Sequence, residues 1–129
     1  MVKAKRIVKN GSGQVEVNQL VEAVVQGIKE KKGHEIVILD LRSTGSSLTD
    51  FFVVCHGDST IQVEAIAHSV ENEVIKIQGE SPVFKEGYSN AEWVLLDYIN
   101  VVVHIFNAEQ REYYGIERFW ADAQIRRIA

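Results

Sequence analysis

The stretch "FFVVCHGDSTIQVEAIAHSVENEVIKIQ", residues 51–78, decides the fold class. Its opening "FFVVCH" is apolar almost without a break, the pattern of a short strand buried on both faces. Ser59 followed three residues later by Gln62 is a capping-box signature, in which the serine oxygen satisfies a free backbone N–H of the first helical turn. From there residues 63, 66, 67, 70, 74 and 77 are apolar at helical spacing, which predicts a helix from about Thr60 to Gln78. A buried strand feeding directly into an amphipathic helix points to a layered α/β arrangement.

Working outward, apolar residues 17, 20, 21, 24 and 28 also fall at helical spacing. The segment ends in "KEKKG", with basic residues in the last turn and Gly33 as a stop, so a helix is expected over Val17 to Lys32. The residues before it, 1–16, mix Lys and Arg with Gly and Ser and read as a mobile arm leading into a single domain, 17–129. "HEIVILDL" reads as a central strand, "RSTGSSLTD" as a loop and "VFKEGY", after Pro82, as a third strand. "WVLLDYINVVVHIF", 93–106, reads as two strands around a tight turn. Asn107 with Gln110 starts a short helix that stops near Gly115, and a last helical stretch carries Ile116, Phe119, Trp120 and Ala123. The expected fold is a mixed five-stranded sheet with flanking helices.

At 129 residues, with 46% hydrophobic and 25% charged residues, the chain has enough apolar surface for one core without staples. A net charge of -4 argues against wrapping nucleic acid with the overall field, and no sequence-specific nucleic-acid contact is expected. The single cysteine, Cys55, lies inside an apolar run, which excludes a disulfide framework and a zinc ribbon. No run is long enough to span a membrane and the start lacks the apolar core of a signal peptide, so a soluble cytoplasmic protein is expected.

In the 93–106 hairpin, side chains alternate between faces. With Ile99 and Asn100 as a two-residue loop, Val94, Leu96 and Tyr98 share one face with Val101, Val103 and Ile105. The other face juxtaposes Trp93 with Phe106, Leu95 with His104, and Asp97 with Val102. Two readings of that face stay open. Either another element covers it, with Asp97 and His104 hydrogen-bonded to each other or to backbone, or it is partly open and forms a binding hot spot. Ile99 fits poorly in a turn that needs positive φ.

Chemistry finds little support in the pattern. The four histidines show no metal-binding spacing, and no nucleophile elbow or Cys–His signature is present, so no metal, cofactor or catalytic residue is expected. "HGDST", from Gly57 to Thr60, sits where backbone N–H groups can hold a phosphate. The junction is similar to that of nucleotidyltransferases, in which a Gly-Ser pair opens a helix and two carboxylates on a following strand bind a metal. Here those carboxylates are missing, Glu71 and Glu73 face different directions on a helix, and Asp58 repels a phosphate. Nucleotide binding at this junction is the alternative to a plain helix cap. In "REYYGIERFW", Arg111, Tyr114, Glu117 and Trp120 align along one ridge if the helix resumes after Gly115.

Taken together and in order, "LDLRSTGSSLTDFFVVCHGDSTIQVEAIAHSV", "EGYSNAEWVLLDY", "VVVHIF" and "REYYGIERFW" resemble the ribosomal silencing factor family, also called Iojap-like, over about Val17 to Trp120. The resemblance implies a nucleotidyltransferase-like fold without the catalytic carboxylates, and no enzyme activity. It implies binding to the large ribosomal subunit through ribosomal protein number fourteen, which blocks subunit joining and represses translation, and a homodimer when the protein is free. Its motifs place the partner-binding residues at Trp93, Leu95, Asp97, Tyr98, His104, Arg111, Tyr114, Glu117 and Trp120. Asp40 and Asp50, around the serine-rich loop, also match, whereas Ile99-Asn100 stands where family members commonly carry Gly-Asp.

Overall fold

The computed structural model describes residues 11–45 and 48–129. In chain order the elements are α1 (Gly11–Glu30), β1 (His34–Asp40), β2 (Phe51–Gly57), α2 (Thr60–Gln78), β3 (Phe84–Glu86), β4 (Trp93–Asp97), β5 (Val101–Asn107), α3 (Ala108–Tyr114), α4 (Ile116–Phe119) and β6 (Gln124–Arg127). The strands form one six-stranded sheet in the order β3-β4-β5-β2-β1-β6. Only β2 and β5 run parallel; the other neighbours are antiparallel. The sheet therefore has one strand more than the sequence predicts. β6, "QIRR", is exposed throughout and carries no apolar alternation, so only its ladder to β1 identifies it.

α1 and α2 lie together on one face of the sheet and bury an aliphatic core that includes Val24, Ile28, Ile38, Val53, Ile66, Val70, Val94, Leu96 and Ile105. α2 has the expected bounds. Ser59 accepts from Gln62 N at 3.1 Å, the Gln62 side chain accepts from Asp58 N at 2.7 Å, and Gly79 closes the helix in the left-handed conformation at φ 67°. The two helices touch closely because residue 27 is glycine: a Cβ there would sit 2.7 Å from Val70 Cα. Ser69 Oγ donates to Gly27 O across the same contact at 2.7 Å.

α1 begins at Gly11, well before Val17, so residues 11–16 belong to the helix rather than to an arm; the rest of the expected arm, 1–10, lies outside the described residues. Its end is a Schellman motif. Gly33 N donates to Ile28 O at 3.0 Å and Lys32 N to Lys29 O at 3.0 Å, with Lys32, not Gly33, in the left-handed region at φ 61°.

The hairpin register is the one read from the sequence, with Trp93 opposite Phe106, Leu95 opposite His104 and Asp97 opposite Val102. Its turn is strained. Ile99 has φ 77°, and Asn100 N donates to Tyr98 O at 2.9 Å, which makes a γ-turn of the rare positive-φ kind on a β-branched residue. Neighbours hold it there: Asp97 Oδ1 accepts from Ile99 N at 2.8 Å, and Thr49 Oγ1 donates to Ile99 O at 2.8 Å.

Candidate functional site

The face of the sheet away from α1 and α2 is built differently. Val37, Leu39, Phe52, Val54, Val102 and Phe106 form a smaller core there, covered by Ile116, Trp120 and Ala123 from the C-terminal segment. That cover lies over the β1 and β2 side. Toward β4 and β3 it is incomplete, and Trp93, Leu95 and Asp97 are only partly buried.

Across this face runs a chain of aromatic contacts. Phe119 meets Trp120 at 5.6 Å between ring centres, Trp120 meets Phe52 at 5.9 Å, and Phe52 meets His104 at 4.5 Å. His104 meets Trp93 at 5.9 Å, Trp93 meets Tyr114 at 4.7 Å, and Tyr114 meets Tyr113 at 5.0 Å. The middle is buried and the ends are not: Phe119 and Tyr113 are 79% and 77% exposed.

His104 anchors the centre. Its Nδ1 accepts from Trp93 Nε1 at 3.1 Å; because indole only donates, the proton of the neutral imidazole sits on Nε2. Nε2 is buried without a hydrogen-bond partner among the described residues, beside the roughly perpendicular Phe52 ring. Burial lowers the ring pKa to about 4, so the imidazole is neutral at physiological pH and fixes the orientation of Trp93. The sequence offered Asp97 or backbone as the partner of His104; the structure gives it Trp93. Asp97 sits at the turn end of β4, one cross-strand position beyond the Leu95–His104 pair, and is bonded to Ile99 N.

Besides His104, which is 4% exposed at the centre of this face, Tyr98, Arg111 and Glu117 are expected partner-binding residues that the structure engages elsewhere. Tyr98 points to the opposite side and is fully buried in the core beneath the helices. Arg111 is 8% exposed and locked in a fork with Glu117, at 2.7 and 3.2 Å, while Nη1 donates to His56 Nδ1 at 2.9 Å. Burial first, then the adjacent guanidinium, lowers the His56 pKa and keeps the ring neutral as an acceptor. The expected single ridge through Arg111, Tyr114, Glu117 and Trp120 does not form, because Gly115, at φ 55°, ends α3 and starts α4 in a new direction. Arg111 and Glu117 thus brace the junction of α3 and α4, whereas Tyr114 and Trp120 stay with the aromatic chain. Asp40 and Asp50 are also structural pins: Asp40 holds Arg42 in a fork at 2.7 and 2.9 Å, and Asp50 accepts from Asn100 Nδ2 at 3.3 Å. The Arg42 hydrogen bond lowers the Asp40 pKa.

The structure also adds residues. β3 pairs Phe84 with Asp97 and Glu86 with Leu95, so Phe84 and Glu86 join the same face at the sheet edge. Phe84 is 52% exposed. Beside them a groove of about 360 Å³ opens between the Gly87–Glu92 segment and α3, lined by Glu86, Gly87, Asn90, Glu92, Trp93, Leu95, Gln110 and Tyr114. Gly87, at φ 98°, is required there: a Cβ would run into the Trp93 carbonyl oxygen.

Ion pairs with Lys or Arg hold Asp40 to Arg42, Glu71 to Lys85, Glu73 to Lys76 and Glu117 to Arg111. Glu86, Glu92 and Asp97 have no cationic partner among the described residues.

The phosphate-binding alternative meets an occupied junction. Asp58 N is taken by Gln62 Oε1, Gln62 N by Ser59 Oγ, and the Asp58 carboxylate lies 3.0 Å from His34 Nε2. Gln62 Nε2 also ties the end of α1 through Lys31 O and Lys32 O, at 3.1 and 3.2 Å. Among the described residues no group of three or more His, Cys, Asp or Glu is placed to hold a metal ion, and no helix is long and apolar enough to cross a membrane.

Residues 14–129 match the family model described as "Ribosomal silencing factor during starvation". The chain belongs to the ribosomal silencing factor family. It is 41% identical over 105 residues to the ribosomal silencing factor of Halalkalibacterium halodurans, covering 81% of this chain and 88% of that one. It is 38% identical to the Bacillus subtilis factor, covering 74% and 80% of the two chains. Among solved structures, a crystal structure of a Chromobacterium violaceum protein superposes with a TM-score of 0.76 at 34% identity, over 81% of this chain and 86% of that chain.

Proposed function

We propose that this member of the silencing factor family binds the large ribosomal subunit through ribosomal protein number fourteen and represses translation by blocking the approach of the small subunit. The docking face in this reading is Trp93, Leu95, Asp97 and Tyr114, extended by Phe84 and Glu86 at the edge and by Trp120 at the far end. The carrying observation is the pairing of a half-open aromatic surface with the Glu86, Glu92 and Asp97 carboxylates, which form no ion pair with a cation among the described residues. Aromatic anchors supply most of the energy of such an interface, and unneutralised acids favour a basic partner. An acidic protein reaches a ribosome most readily through a basic protein surface, since bare RNA repels it. The scaffold in this reading is nucleotidyltransferase-like with its chemistry absent, the action is steric, and the protein works in the cytoplasm. A free homodimer would use the same apolar patch.

The test is sedimentation with isolated large subunits followed by addition of small subunits. The wild-type protein is expected to co-sediment and to prevent joining, and Trp93→Ala to lose both while its far-ultraviolet circular dichroism stays native. A folded wild-type protein that stays in the supernatant would refute the reading.

A further inference from the structure

We infer that the groove between the Gly87–Glu92 segment and α3 is a seat for one arginine side chain. Its biological source, the basic partner, rests on the docking reading above; its chemistry rests on the groove itself.

Three features converge. The floor is aromatic and open: the Trp93 and Tyr114 rings meet at 4.7 Å and are inclined at 48° to each other, with Leu95 beside them. The wall offers acceptors, the Glu86 and Glu92 carboxylates and the side-chain oxygens of Asn90 and Gln110, and the lining contains no Lys, Arg or His. The neighbouring cations are committed elsewhere. Lys85 reaches across the sheet edge to Glu71, and Arg111 is held by Glu117. An aromatic floor under an acidic wall attracts a cation by its quadrupole and its charge together.

The geometry favours guanidinium over ammonium. Guanidinium is planar, stacks on a ring face and can donate to two separated carboxylates at once, whereas ammonium is a strongly hydrated point charge. Trp93 is also a prepared surface, since the hydrogen bond to His104 fixes its ring before any ligand arrives.

The experiment follows backbone and indole N–H resonances of the free, full-length protein while Nα-acetyl-arginine N-methylamide is added. The citrulline and lysine analogues serve as controls. Saturable shifts at the Trp93 indole and at Tyr114 are expected with the arginine compound, weaker ones with lysine, and none with citrulline, which keeps the shape but not the charge. Glu86→Gln with Glu92→Gln, both at exposed positions, should weaken arginine binding roughly fivefold. Equal binding of citrulline or lysine, shifts centred elsewhere, or an unchanged affinity in the double variant would overturn the proposal. Sedimentation of the same proteins separates this proposal from the docking reading. Arginine titration without ribosome binding sinks the docking reading and keeps the seat; ribosome binding without arginine titration does the reverse.

Discussion

The two faces of one sheet are finished in opposite ways. Beneath α1 and α2 the core is largely aliphatic and closed, and the two helices are tied together by Gln62 near the start of α2 and by Ser69 at its middle. On the other face the contacts are aromatic, the cover is a short C-terminal segment, and the side toward β3 and β4 is left partly open. Aliphatic packing suits a face that must only stay shut. Aromatic rings with oriented polar tips suit one that also meets water and a partner. The difference separates the part of the molecule that supplies stability from the part that supplies contact.

The sharpest way to break this contrast is to damage the closed face. Ile66 on α2 is fully buried, and Ile66→Ala should cost about 3 to 4 kcal/mol in denaturant unfolding, without touching the aromatic face directly. The second test is acid. His104 has a pKa of about 4 in the folded protein against 6.5 unperturbed, so the unfolded chain takes up the proton first as pH falls. Stability is then complete above pH 6.5 and declines by about 3 kcal/mol as pH drops toward 4. Unfolding curves across that range should be flatter for His104→Leu than for the wild type by this amount. An equal decline in both would show that the aromatic centre does not depend on a neutral imidazole.

A smaller effect with the opposite sign is expected at the hairpin turn. Ile99→Gly removes the strain of a β-branched residue at φ 77° and loosens the unfolded chain, for a net gain of about 1 kcal/mol in unfolding free energy. Smallest of all is Phe119→Ser at the exposed end of the aromatic chain, which should shift stability by less than about 0.5 kcal/mol. A larger loss would mean that Phe119 belongs to the core and not to a contact surface.

Elements whose signals are local were readable in the sequence. α2 followed from its cap and period, and the hairpin register from alternation with a two-residue loop. β6 was not readable, because its place depends on β1 far away in the chain and its side chains carry no pattern. For Tyr98 two readings of the sequence pointed apart: alternation put it on the Val94 and Leu96 face, where the structure places it, while the motif match put it among the partner-binding residues. Arg111 and Glu117 looked functional because charged residues beside aromatics often are, yet their fork closes a helix junction. Phe84 and Glu86 lie in the segment read as a third strand, but their place on this face needed its pairing with β4, which no periodicity reveals.

The ladder between β1 and β6 has a consequence for the order in which the molecule is completed during synthesis. Ile38 has to wait for Arg126, and Val37 for Arg127, so the outer edge of β1 stays open until residues 124–127 have left the ribosome. Until then Ile36 to Leu39, an apolar run whose strand is paired with β2 on one side only, is an open edge able to pair with another nascent chain. The strand that finally covers it brings two exposed arginines to the new edge. Charged residues of that kind discourage a further strand from adding. A message truncated shortly before Gln124 would therefore yield a chain that keeps its closed helical face but aggregates through β1.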